Sequence, residues 1–127
     1  MSNDVRRRGL ILDGKTYRMA TSVGTAFVIV NNNGDGLPFE VFITIGKVGS
    51  DVAAFAEGLG RMISLCLRTA SDPKERALEI IDQLKWIGGV RLVGLGQDQI
   101  LSLPDAVARV LSIHLGIEQE LQTGTNV

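Results

Sequence analysis

The 127-residue sequence predicts a single α+β domain, a small antiparallel sheet of about three or four strands packed with about three helices. Two β-rich runs, residues 25–30 (TAFVIV) and 37–45 (LPFEVFITI), flank a polar tip, residues 31–36 (NNNGDG), whose residues tolerate positive φ. Three later runs carry apolar residues at helical spacing, and each opens on a capping signal. Hydrophobic residues make up 45 % of the chain against 21 % charged, a balance that buries a core instead of staying disordered.

Residues 10–12 and 15–21 read as short strands around a turn at Asp13 and Gly14. In the hairpin that follows, Phe39, Val41, Ile43 and Ile45 alternate to one side, while Phe42 points to the other. On the partner strand, Ala26, Val28 and Val30 oppose Phe27 and Ile29. A sheet with one wet face shows polar residues there, so both faces are expected to be covered. Helices would cover one, and further chain or a second subunit the other. Pro38 suits a strand start, where its missing N–H costs least.

Residues 50–68 form the first helix. Val52, Phe55, Leu59, Met62, Ile63 and Cys66 make its expected core stripe, beside a small-residue stripe of Ala53, Ala56 and Gly60. Asp72 with Glu75, and Pro73 at the first helical position, open the second helix. Ala77, Ile80, Ile81, Leu84 and Ile87 would carry its buried face, and Gly88 and Gly89 would end it. Residues 90–100 read as an ordered loop. Ser102 and Asp105 cap the last helix, with Pro104 in its first turn and Val107, Val110, Leu111 and Leu115 inside. The expected organisation is an arm over residues 1–14, a domain over 15–121 and a fraying tail over 122–127.

Cys66 is the only cysteine and His114 the only histidine, so zinc sites built from these residues cannot be assembled within one chain. Neither an internal disulfide nor a set of nucleophile, base and acid emerges. A formal net charge of −1 argues against non-specific nucleic-acid binding, and Arg6, Arg7 and Arg8 are the one dense basic run. The N-terminus lacks the form of a signal peptide, and no apolar run has membrane-spanning length, so a cytoplasmic protein is expected.

The junction at Gly46, Lys47, Gly49 and Ser50 carries the clearest chemical signal. Backbone N–H groups at a helix start and a nearby lysine suit a phosphate or carboxylate. The spacing is not that of a P-loop, which places lysine directly before the hydroxyl residue. The plainer alternative is that the glycines only permit a tight turn, with Ser50 as N-cap. Glu40 and Arg61, charged residues in apolar surroundings, either pair, face a groove, or make ordinary solvent-facing contacts. Trp86 reads as an interface anchor or a lid on the core.

GKTYR, TSVGTAFVIV, GLPFEVFITIGKVGSDVAAFAEGLGRMISLCLR, IIDQLKWIGG and SLPDAVARVL occur in this order. Together they resemble the TSCPD domain, found at the C-terminal end of adenosylcobalamin-dependent (class II) ribonucleotide reductases and in small stand-alone proteins. PFEVFITIGKVGS followed by GRMISL is the most specific part. Family members often carry cysteines where this chain has Val23, Gly89 and Leu103. If those cysteines form a metal site, it is lost here. With that resemblance, the expected role is a non-catalytic accessory module that docks on a reductase or assembles with itself, and the two-faced apolar sheet and the small-residue stripe of the first helix favour a homodimer or other oligomer. Adenosylcobalamin would belong to the reductase, and this chain would bind no cofactor. The alternative is a module that binds a phosphorylated small molecule, such as a nucleotide, at residues 46–50.

Overall fold

Three strands form an antiparallel meander in the order β1 (Asp13–Thr21), β2 (Gly24–Asn32) and β3 (Pro38–Ile45). The computed structural model describes residues 7–88 and 101–118. Three helices follow: α1 (Asp51–Arg68), α2 (Pro73–Leu84) and α3 (Leu103–His114). The expected α+β class, sheet and helix number are all found.

β1 and β2 pair from Asp13 opposite Asn32 to Thr21 opposite Gly24, around a two-residue turn. Thr21 braces that turn. Its hydroxyl donates to the Gly24 carbonyl at 2.6 Å and accepts from the Val23 N–H at 3.1 Å. β2 and β3 pair through Val30 opposite Val41 and Val28 opposite Ile43, with a bulge at Asn31 and Asn32. Phe39, in step with Val41 and Ile43 along β3, is fully buried.

The expected turn at Asp13 and Gly14 is a correction. Both residues open β1, and residues 10–12 form no strand, with Leu10 and Ile11 exposed. Gly14 lies opposite Asn31, so close that an added Cβ would stand 2.6 Å from the Val30 carbonyl oxygen and 2.9 Å from Asn31 Cα. Glycine is needed here for close approach of two backbones.

All three helices lie toward one face of the sheet. α1 runs along β3, α3 reaches β1 and β2, and α2 packs between the two helices. Ala26, Val28 and Val30, with Val41, Ile43 and Ile45, meet Ile63, Leu67, Ala77, Val107, Val110 and Leu111 in one core. The other face carries Phe27, Ile29 and Phe42. Arg8 of the N-terminal arm reaches it at one end, through Glu40.

The helix caps fall where the sequence places them. Ser50, Asp72 and Ser102 each accept a hydrogen bond from the third residue beyond, and Pro73 and Pro104 lie in the first turns. The Ser102 hydroxyl also donates to the Ile87 carbonyl at 2.6 Å, fastening α3 to the turn after α2. α2 ends at Leu84, short of the expected glycines, and Trp86 takes φ 66° in the turn beyond. Ile87 is consequently exposed and not part of the buried face. Residues 89–100 and 119–127, including the expected loop and tail, lie outside the described residues.

α1 is rolled relative to expectation. Ala56, Gly60, Ile63, Ser64 and Leu67 face inward, while Phe55 and Met62 point to solvent. The cause is the outer edge of β3. The Val41 N–H donates to Ser64 Oγ at 2.9 Å, and the Ser64 hydroxyl donates back to the Val41 carbonyl at 3.1 Å. Such a fit requires the helix to come very near. A Cβ on Gly60 would lie 3.1 Å from the Val41 oxygen. A large inward side chain at either position would push the helix away and leave buried backbone groups unpaired.

His114 fastens the end of α3 to the sheet. Its Nε2 lies 2.8 Å from Asn32 Oδ1 and its Nδ1 lies 2.8 Å from the Tyr17 hydroxyl. An oxygen acceptor at Asn32 places the hydrogen on Nε2, so the neutral ring accepts the Tyr17 hydrogen on Nδ1. Burial, and secondarily the charge of Lys15, push the His114 pKa down. The unfolded chain therefore binds this proton more readily. Stability from neutral His114 is complete above the unfolded value of about 6.5 and declines as pH falls through it.

Two outcomes follow in urea denaturation. Gly14→Ala destabilises the fold by about 1–3 kcal/mol through overpacking, whereas Gly58→Ala, exposed in α1 with open space around it, stabilises it by about 1 kcal/mol through helix propensity. Between pH 7 and 5 the melting temperature falls, and His114→Gln flattens that dependence.

Candidate functional site

The turn between β3 and α1 is made as the glycines suggest. Gly46 and Gly49 take positive φ of 72° and 89°, and the Ser50 N–H donates to the Lys47 carbonyl at 3.0 Å. Ser50 Oγ then accepts from the Ala53 N–H at 3.1 Å, so the serine is the N-cap. Lys47 is exposed and makes no ion pair among the described residues. Asp51 occupies the first turn of α1, where its carboxylate already answers the positive helix end.

Beside this turn, a groove of about 740 Å³ runs between the edge of β3 and α1. Ile43, Ile45, Gly46 and Ser50 line one part, and Glu57, Arg61 and Arg68 line the helical side. Gly60 and Ser64, where α1 meets the edge of β3 at Val41, line it as well.

Glu40 and Arg61 are not brought together. Arg61 Nη2 sits 2.6 Å from Glu57 on the same exposed helix face. Glu40, only 4 % exposed, lies on the sheet face that the helices leave open and is held from the other side. Arg8 clasps it with two hydrogen bonds of 3.0 and 3.1 Å, and the Asn31 side-chain amide donates a third at 2.7 Å. Burial alone pushes the Glu40 carboxyl up. The hydrogen bonds from Arg8 and Asn31, together with the positive charge of Arg8, outweigh it and hold the pKa below the usual value. Arg8 thus has a structural partner, which its place in a basic N-terminal triplet did not reveal.

Beyond Glu40 on that open face, Phe42 is 50 % exposed and Phe27 43 % exposed. Phe42 lies directly opposite Ile29, and Thr44 opposite Phe27, so the three apolar residues form one patch in the middle of the sheet. Side chains of this size left half in water are the strongest surface feature of the sheet. Trp86 is exposed as well, beside the start of α3.

Reactive side chains are scattered. Both His114 nitrogens are engaged, Cys66 is half-buried against the core, and no group of three His, Cys, Asp or Glu residues among those described is placed to hold a metal. No described helix is long and apolar enough to cross a membrane.

No curated protein and no solved structure matches the chain. The family model of the TSCPD domain matches residues 5–115, spanning all three strands, all three helices, the β3–α1 turn and the Arg8–Glu40 clasp. On that match, the chain belongs to the TSCPD domain family.

Proposed function

We propose that this protein is a non-catalytic accessory module that acts by docking on a class II ribonucleotide reductase or by assembling with itself. The family is linked to those reductases. The observation that carries the docking reading is the patch of Phe27, Ile29 and Phe42 on the sheet face away from the helices. An aromatic patch on a rigid sheet, rimmed by Arg18 and Thr44, has the make-up of a protein interface with a hydrophobic centre and a polar rim. The scattered His114 and Cys66 support a role in binding in preference to chemistry. Adenosylcobalamin, in this reading, stays with the reductase.

A second reading rests on the β3–α1 groove. It is a module for a phosphorylated small molecule, with Gly46, Lys47, Gly49 and Ser50 at one end and Arg61 behind. Asp51 and Glu57 oppose an anion there, which places this reading second.

Tagged protein incubated with an extract of its own cell is expected to retain a cobalamin-dependent reductase, identified by mass spectrometry, and Phe42→Asp is expected to lose it. Retention unchanged by Phe42→Asp removes the sheet face as the dock; repeated absence of the reductase with the unaltered protein removes the reading. Calorimetric titration with nucleotides tests the second reading, which predicts binding that Lys47→Ala weakens by about tenfold, the loss of one charge-assisted contact.

A further inference from the structure

We infer that the outer ridge of α1 is a two-fold interface at which a second copy of this chain packs its own α1 antiparallel. This rests on the self-assembly half of the function proposed above and names the surface that carries it.

Phe55 is 76 % exposed, Met62 59 %, and Leu65 is also exposed. Spaced by seven and three residues, they share the side of α1 turned away from Ala56, Gly60, Ile63 and Leu67. Gly58 lies between them on the same ridge. Unlike Gly60, which the Val41 carbonyl requires, Gly58 has nothing within 4 Å of where its Cβ would stand. A glycine in a helix interior without an internal reason is a cost to the monomer. Close approach of a partner helix supplies the reason that the isolated chain lacks.

The charges of α1 identify the partner. Its N-terminal half carries Asp51 and Glu57, and its C-terminal half carries Arg61 and Arg68. Glu57 and Arg61 flank the ridge on the groove side. In an antiparallel pair whose axis passes near residue 59, Glu57 of each copy faces Arg61 of the other. Asp51 approaches Arg68 about the same axis, and the apolar ridge is centred within a residue of it. One surface is then its own complement, as a two-fold interface demands. Antiparallel helices also oppose their dipoles favourably. At 18 residues α1 is about 27 Å long, a modest seam that fits a reversible dimer.

Sedimentation equilibrium on the full chain is expected to show a monomer–dimer equilibrium in the micromolar range. Phe55→Lys with Met62→Lys is expected to weaken it by about tenfold or more, with an unchanged melting temperature under monomeric conditions. Gly58→Ala separates packing from folding, because it is expected to raise monomer stability and weaken the dimer. Glu57→Arg weakens the dimer, and adding Arg61→Glu restores it. A dimer indifferent to all α1 changes but lost on Phe42→Lys overturns this interface and leaves self-assembly through the sheet standing. A monomer at every concentration overturns both.

Discussion

The reciprocal contact between Ser64 and the backbone of Val41 decides how this small domain is put together. An edge strand offers unpaired N–H and C=O groups, which promote unwanted pairing if left bare and are costly if buried unmet. One serine hydroxyl, acting as acceptor and donor at once, satisfies both groups of Val41. For the hydroxyl to reach them, the helix must lie against the strand, and Gly60 one turn earlier makes that possible. The roll of α1 follows, and so does the destination of every other side chain on it.

Three surfaces are left open among the described residues. With the small residues of α1 turned inward, Phe55 and Met62 have nowhere to go but outward. With the three described helices on one side of the meander, Phe27 and Phe42 remain half in water. Between α1 and the free part of β3 a groove remains, rimmed by charges of both signs. A chain that uses its single histidine to fasten a helix to a sheet, and keeps its single cysteine half within a helix packed on the core, has invested its chemistry in shape.

Much of the fold could be read from the residues because the signals were local. Ser50, Asp72 and Ser102 cap the three helices through bonds to a residue only three positions away. Alternation in TAFVIV and VFITI sorts residues between faces by the two-residue repeat of a strand alone. What could not be read depends on long-range geometry. The spacing of Phe55 and Met62 with Ile63 looks like a core stripe, but with Ser64 seated on Val41, 23 positions earlier, two of the three turn outward. Asp13–Gly14 has the composition of a turn, but its glycine answers the approach of Asn31 from across the sheet. The candidate site divides along the same line. Gly46, Gly49 and Ser50 build the turn that their sequence announces, whereas Glu40 takes Arg8 as its partner, with no periodic signal linking them.

Amide hydrogen exchange at Val41, followed by NMR, interrogates the edge contact most directly. If Ser64 seals that edge, the Val41 amide exchanges as slowly as the core amides of β2, and Ser64→Ala speeds it selectively. An amide at Val41 that exchanges as freely as an open strand edge would mean that α1 is not seated there, and the surfaces assigned to this protein would have to be redrawn.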